Sequence, residues 1–174
     1  MASPAREPLK KGRGETLAHL LVDVILYCSF SSLIMQYNRL GNSGLLVSEL
    51  SFGSWITFDS SSSSPGTVGG SSRQHAAKSC FDIMKAAYLG GVNLFDNAEA
   101  YAAGDAERLM GDAVRMGIEQ KVWTRADLVL TTKIMFGAMP KKNHPDYIPN
   151  AISLNRVGLS RKHVVEGLQA SLGK

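Results

Sequence analysis

Seven consecutive residues, Leu128-Val129-Leu130-Thr131-Thr132-Lys133-Ile134, limit what this chain can fold into more than any other stretch. The run is apolar and β-branched without alternation, the pattern of a strand covered on both faces. A strand covered twice belongs in a parallel sheet with helices on either side. The chain must then supply more strands of the same direction, separated by helices.

A second such strand lies in Gly91-Val92-Asn93-Leu94-Phe95-Asp96-Asn97-Ala98-Glu99-Ala100-Tyr101. Val92, Leu94 and Phe95 favour a strand, Gly90-Gly91 supplies the break before it, and Asn97 begins a loop, so Asp96 is expected where the strand emerges. Parallel α/β folds build their sites at that end. Asp96, Tyr101 and Lys133 are therefore candidate catalytic residues.

Helical spacing separates these strands. Ala77, Cys80, Ile83, Met84, Ala87 and Tyr88 recur at intervals of three or four, and Gly90 stops the element. Gly104-Asp105 offers an N-cap for a helix with Ala106, Leu109, Met110 and Ala113 on one face, ending by Gly117. Ser160 caps a last helix expected to present Val164, Leu168 and Leu172. Upstream, Gln36 to Leu50 carries a Gly-Asn-Ser-Gly cluster between two short apolar-alternating runs, a hairpin signal. Leu50 to Trp55 reads as a further strand, with Gly53 where something approaches the backbone closely. Two segments fall outside this order. The serine-rich stretch from Phe58 to Arg73 reads as a flexible loop without chemistry. The other, with Pro140, Pro145 and Pro149, is long for a compact domain.

Composition narrows the function classes. With 174 residues, 44% of them hydrophobic and 20% charged, the chain suits one soluble domain. The net charge of +4 is spread over Arg6, Lys10, Lys11, Arg13, Lys141, Lys142, Arg161 and Lys162, among others, with no basic stripe for nucleic acid. Cys28 and Cys80 are too few for a disulfide framework and lack metal-ligand spacing, so no metal is expected and a reducing cytoplasm is the easier setting. The apolar run from Leu17 to Met35 superficially resembles a signal or anchor. Asp23 at its centre opposes insertion by roughly 2.5 to 3.5 kcal/mol, and His19, Ser29, Ser31 and Ser32 weaken it further. Residues 1–34 are read as an extension with an apolar segment, residues 35–174 as the enzyme-like domain, and membrane anchoring is not expected.

Five motifs now stand in order: Met-Gln-Tyr-Asn-Arg-Leu-Gly-Asn-Ser-Gly-Leu from Met35, Leu-Ser-Phe-Gly-Ser-Trp from Leu50, Asn-Leu-Phe-Asp-Asn-Ala-Glu-Ala-Tyr from Asn93, Asp-Leu-Val-Leu-Thr-Thr-Lys-Ile from Asp127, and Gly-Leu-Ser-Arg-Lys-His from Gly158. Together they resemble the aldo-keto reductases, above all the branch containing the voltage-gated potassium-channel β-subunits and their fungal relatives. The resemblance implies a (β/α)₈ TIM barrel closed at its bottom by a hairpin, with NADPH across the C-terminal face of the strands. It implies hydride transfer to a small aldehyde or ketone, and a catalytic Asp, Tyr, Lys and His. Three of the four map to Asp96, Tyr101 and Lys133. A carbonyl oxygen that gains charge needs a proton donor. Tyr101 would be that donor, a Lys133 cation would stabilise its phenolate, and Asp96 would hold Lys133. Gly53, Ser54 and Trp55 match the segment beside the nicotinamide and its ribose, to which Asp96 also belongs. A channel's cytoplasmic domain is the implied macromolecular partner, and self-association stays open.

Without the family, the same residues read differently. Asp96 is a strand-end turn or cap, Tyr101 a half-buried loop aromatic and Lys133 a solvated strand terminus. Trp55 is core packing by default, and Glu99 and Glu107 are surface or capping groups.

The chain also departs from the family pattern. A closed barrel takes about 250 residues, whereas 125 positions run from Leu50 to Lys174 and hold three strand and helix units. The fold expected is therefore α/β, a partial barrel of an N-terminal hairpin plus about three βα units. The fourth catalytic residue has no counterpart, since His144 lies in a loop and His163 starts a helix. The segments that grip the adenosine end of the cofactor are missing as well. The family begins near Met35 and has shorter loops at Ser60 to Ser72 and Phe136 to Val157. These departures suggest a truncated gene product, and a non-catalytic fragment stands beside the reductase and the channel subunit as a third reading.

Overall fold

The structure, a computed structural model, describes residues 35–61, 67–68, 72–139, 142, 148–149 and 154–174. The readings made for residues 1–34, Cys28 among them, and for His144 lie outside the described residues. Strands β1 (Tyr37–Arg39) and β2 (Leu46–Ser48) form the expected hairpin, with Tyr37 opposite Ser48 and Arg39 opposite Leu46. Its turn relies on Gly41 and Gly44 at φ 52° and 79°, where a Cβ would be strained.

Three further strands form a parallel sheet in the order β3 (Phe52–Gly53), β4 (Leu94–Asp96), β5 (Val129–Thr131). Gly53 lies opposite Asp96, and Asp96 opposite Thr131, so the three strands end level with one another. Parallel neighbours need a crossover. Helix α1 (Arg73–Leu89) connects β3 to β4, and α2 (Asp105–Glu119) connects β4 to β5. The arrangement is the partial barrel-like α/β fold expected, and the described strands do not close into a barrel.

The core lies between the sheet and these two helices. Phe58, Phe81, Met84, Phe95 and Leu109 are fully buried in it. Trp123 meets Phe81 and Tyr88 edge-on at 5.8 and 5.4 Å, and its indole N–H donates to the Val114 carbonyl at 3.1 Å. That placement depends on Gly117, where an added Cβ would stand 2.0 Å from the indole ring. Asn93 fastens the hairpin to the start of β4. Its Oδ1 accepts from the Ser48 amide at 2.7 Å and its Nδ2 donates to the Leu46 carbonyl at 2.9 Å.

Several expectations need correction. The strand around Val129 spans three residues, because Thr132, Lys133 and Ile134 leave the ladder. Gly104, at φ 89°, takes the N-cap of α2 alone, and Asp105 is the first helical residue, accepting from Ser60. Helix α2 runs two residues past Gly117. Phe58 and Val68, in the stretch read as a flexible loop, are buried in the core. Helix α3 (Arg161–Leu172) is capped by Ser160 as expected, yet it buries His163 and Gly167, while Val164, Leu168 and Leu172 are exposed. The cause is close approach. A Cβ at Gly167 would lie 2.9 Å from Ile134 Cγ2, so the helix docks through its smallest residue rather than its apolar row.

Candidate active site

Pairing between the strands continues past their ends and builds a rim. The Ser54 amide donates to the Asp96 carbonyl at 3.1 Å, Asn97 to Thr131 at 3.0 Å, and Glu99 to Lys133 at 3.2 Å. Adjacent parallel strands lie about 4.8 Å apart, so side chains at their ends are within reach of one another. Lys133 Nζ is 2.6 Å from Asp96 Oδ2 and 2.7 Å from the Asn97 carbonyl. Thr131 Oγ1 donates to the other carboxylate oxygen at 2.7 Å. Asp96 is thus fixed from two sides by β5.

Tyr101 closes the group. Lys133 Nζ lies 4.8 Å from its ring centroid. Burial pushes the Lys133 ammonium down, but its hydrogen bond to Asp96 and the neighbouring Tyr101 outweigh that and hold the group above the ordinary lysine value. Lys133 is a permanent cation beside a phenol. Behind Tyr101 the backbone turns left-handed for three residues: Ala102 (φ 49°), Ala103 (φ 59°) and Gly104 (φ 89°). For the two alanines that hand costs roughly 1 to 2 kcal/mol each, and it swings the chain abruptly from the rim into α2.

The segment after β3 forms the opposite wall. Trp55 is 69% exposed and stacks on Tyr101, with centroids 6.1 Å apart and planes 21° from parallel. It is not core packing. A Cβ at Gly53 would meet nothing within 4 Å, so the rim beside Asp96 is open. Ser54 is fully buried and its hydroxyl donates to the Asp96 carbonyl at 3.0 Å, so it braces the strand ends instead of facing the opening. Exposed flat aromatic surface, an open glycine and a half-exposed carboxylate suit an aromatic ring lying against the rim.

Sequence reasoning missed two buried acids. Glu99 is 4% exposed and accepts from the Met135 and Gly137 amides, with His163 beside it. Glu107 is 7% exposed and accepts from Thr132 and Lys174. Neither is a surface group, and their partners lie too far along the chain for spacing to reveal. A cleft of about 420 Å³ lies between α2, β5 and α3, lined by Glu107, Met110, Thr132 and Leu168 among others. None of Asp96, Tyr101 and Lys133 lines it, so the open rim is the better candidate site. Cys80 is no nucleophile: burial, then the Asp105 and Asp112 carboxylates, push its thiol up to about 12. Among the described residues no His, Cys, Asp and Glu cluster could hold a metal ion, and no helix is long and apolar enough to cross a membrane.

A parallel βα sheet with a lysine, a carboxylate and a phenol converging at its C-terminal rim defines the class of the α/β barrel-type folds with a site on the strand ends. Residues 49–174 match the aldo/keto reductase family, and the chain belongs to that family. It is 43% identical over 138 residues to a protein of Arabidopsis thaliana described as a probable voltage-gated potassium channel subunit beta, covering 79% of this chain and 33% of that protein. A protein of Oryza sativa subsp. japonica with the same description is 41% identical over 139 residues, with the same two shares. The chain therefore spans about a third of the length of these curated relatives. Among solved structures, the holo form of an aldo-keto reductase from Bacillus halodurans superposes with a TM-score of 0.51 at 24% identity, over 80% of this chain and 36% of the other.

Proposed function

We propose that this chain carries the acid half of a site for NADPH-dependent reduction of a small aldehyde or ketone. The observation that carries the reading is the convergence of Asp96, Lys133 and Tyr101, from three separate positions in sequence, on one rim beside an exposed Trp55. Gly53, Trp55 and Asp96 would hold the nicotinamide end of the cofactor, with Ser54 bracing them from beneath. NADPH, when bound, supplies the hydride that adds to the carbonyl carbon.

The chain's own residues then manage the proton. As the carbon–oxygen π pair collects on oxygen, the Tyr101 hydroxyl gives up its hydrogen to that oxygen and is left as a phenolate. Lys133 stabilises the phenolate through its fixed positive charge, which acts only as the transition state develops. Asp96 holds the Lys133 ammonium, and Thr131 holds Asp96. The described histidines are His75, at the start of α1, and His163, within α3. Neither is positioned beside Lys133 at a strand end, so the acid half rests on three residues here.

The test is the loss of NADPH absorbance on mixing the full chain with small aldehydes. Turnover by the native chain that a Tyr101→Phe variant lacks supports the reading; equal rates in the two, or none in either, count against it. A second reading, association with the cytoplasmic domain of a potassium channel, is favoured by what the two plant relatives are described as. On that reading the protein works in the cytoplasm. Co-purification with such a domain tests it, and failure to retain one argues for the reductase alone.

A further inference from the structure

Glu99 lies two residues before Tyr101, is buried, and has no part in the proton transfer described above. Its Oε1 accepts from the Met135 amide at 2.6 Å and the Gly137 amide at 2.8 Å, on the loop that follows Lys133. Its Oε2 is 3.2 Å from Nε2 of His163, which is 4% exposed. The other ring nitrogen of His163, Nδ1, is 2.7 Å from the Gly158 carbonyl.

Those contacts constrain where hydrogens can be. A carbonyl oxygen only accepts, so Nδ1 carries a hydrogen. A neutral ring would then turn the bare lone pair of Nε2 toward a carboxylate oxygen that also only accepts. Two buried acceptors at that distance repel unless a proton lies between them. Among the described residues, the Glu99 carboxylate has no partner besides those two amides and His163. A Cβ at Gly167 would lie 3.1 Å from Glu99 Oε2, so α3 seals the pair on that side with backbone. Of the charged groups on the adjoining elements, Lys133 is turned to Asp96 and Lys162 to Glu166, while Arg156 and Arg161 are exposed.

We infer that Glu99 and His163 form a proton-bridged staple, a pair of positioning residues that fastens the Tyr101 turn to the Lys133 loop and to α3, and that releases it when the proton is lost. The staple joins the three segments that follow β4, β5 and Gly158. Its consequence for turnover rests on the reductase reading, but its existence does not.

Nuclear magnetic resonance on the ¹⁵N-labelled full chain tests it without any turnover. The reporters are the His163 ring nitrogens and the Trp55 indole N–H, assigned with a Trp55→Phe variant; Trp55 senses the Tyr101 ring on which it stacks. In a pH titration through the histidine range, about pH 5 to 8, and onward into base, the native Trp55 peak is expected to move together with the His163 ring nitrogens. Glu99→Gln keeps an acceptor for both amides and offers an N–H to Nε2. Its Trp55 peak should sit at the position the native peak holds at the acid end of the titration and stay there as base is added. Glu99→Ala should displace the peak at every pH. A native Trp55 peak that ignores His163, or a Glu99→Gln peak that titrates like the native one, would overturn the staple. Should Glu99→Ala not fold, the native and Glu99→Gln titrations decide the matter. Loss of NADPH turnover with the titration intact would sink the reductase and leave the staple standing.

Discussion

Lys133 bridges two strand ends: its ammonium reaches Asp96 Oδ2 at 2.6 Å from the neighbouring strand, while its own backbone carbonyl accepts from Glu99. Both side chains are at least a third exposed, so solvent screens the ion pair and it should add at most about 1 kcal/mol to stability. Lys133→Met is therefore expected to melt close to the native chain while, on the proposed reductase reading, NADPH oxidation falls by roughly 10²- to 10⁴-fold, the usual span for impaired acid catalysis. Paired urea melts and rate measurements check it. Stability and rate collapsing together would make the pair a structural one.

Gly117 is the seat of the Trp123 indole. Alanine ordinarily gains about 1 kcal/mol over glycine inside a helix. Here its Cβ would stand 2.0 Å from the ring, and overpacking of that kind costs about 1 to 3 kcal/mol. Gly117→Ala should lower the urea midpoint, and a raised midpoint would show that Trp123 can move aside.

Phe58 anchors a serine-rich segment that composition alone would leave in solvent. It is fully buried and packs against Phe52 with ring centroids 5.8 Å apart. Phe58→Ala is expected to cost about 3 to 5 kcal/mol, measured by denaturation. A change under about 1 kcal/mol would mean the segment is only laid over the core.

Acid should find Glu107. Burial pushes its carboxyl up, but the hydrogen bonds from Lys174 and Thr132 prevail and hold it below the usual 4.5. A carboxyl whose folded value is depressed stabilises the fold fully above its unfolded value and loses that contribution as pH falls through the folded one. The stability gap between the native chain and Glu107→Gln should stay constant above about pH 5 and narrow below about pH 4. Urea titrations across that range measure it, and a gap that widens in acid would reverse the sign.

What the sequence disclosed and what it hid divide along sequence distance. The hairpin, the alternation of strands and helices, and the strand-end position of Asp96 follow from turn residues and periodicity, which act locally, whereas Lys133 stands two residues past the end of its strand. Glu99 and Glu107 looked like surface acids because the groups that satisfy them, His163 and Lys174, lie 64 and 67 residues away. The apolar row on α3 misled for a related reason. Periodicity locates the large residues, but a helix that docks at van der Waals distance docks through glycine. Trp55 belied its size by staying exposed, since its contact is a single ring at the rim and not the core.

The turn behind Tyr101 sets a different kind of constraint. Ala102 and Ala103 hold backbone angles close to the mirror image of an ordinary right-handed helix, the conformation at which D-residues rest easily and L-residues do not. The rim is shaped there by molecular handedness. Building D-alanine into either position by peptide ligation would keep every atom of the side chain and remove the strain, so the shape of the turn could be separated from the cost of holding it.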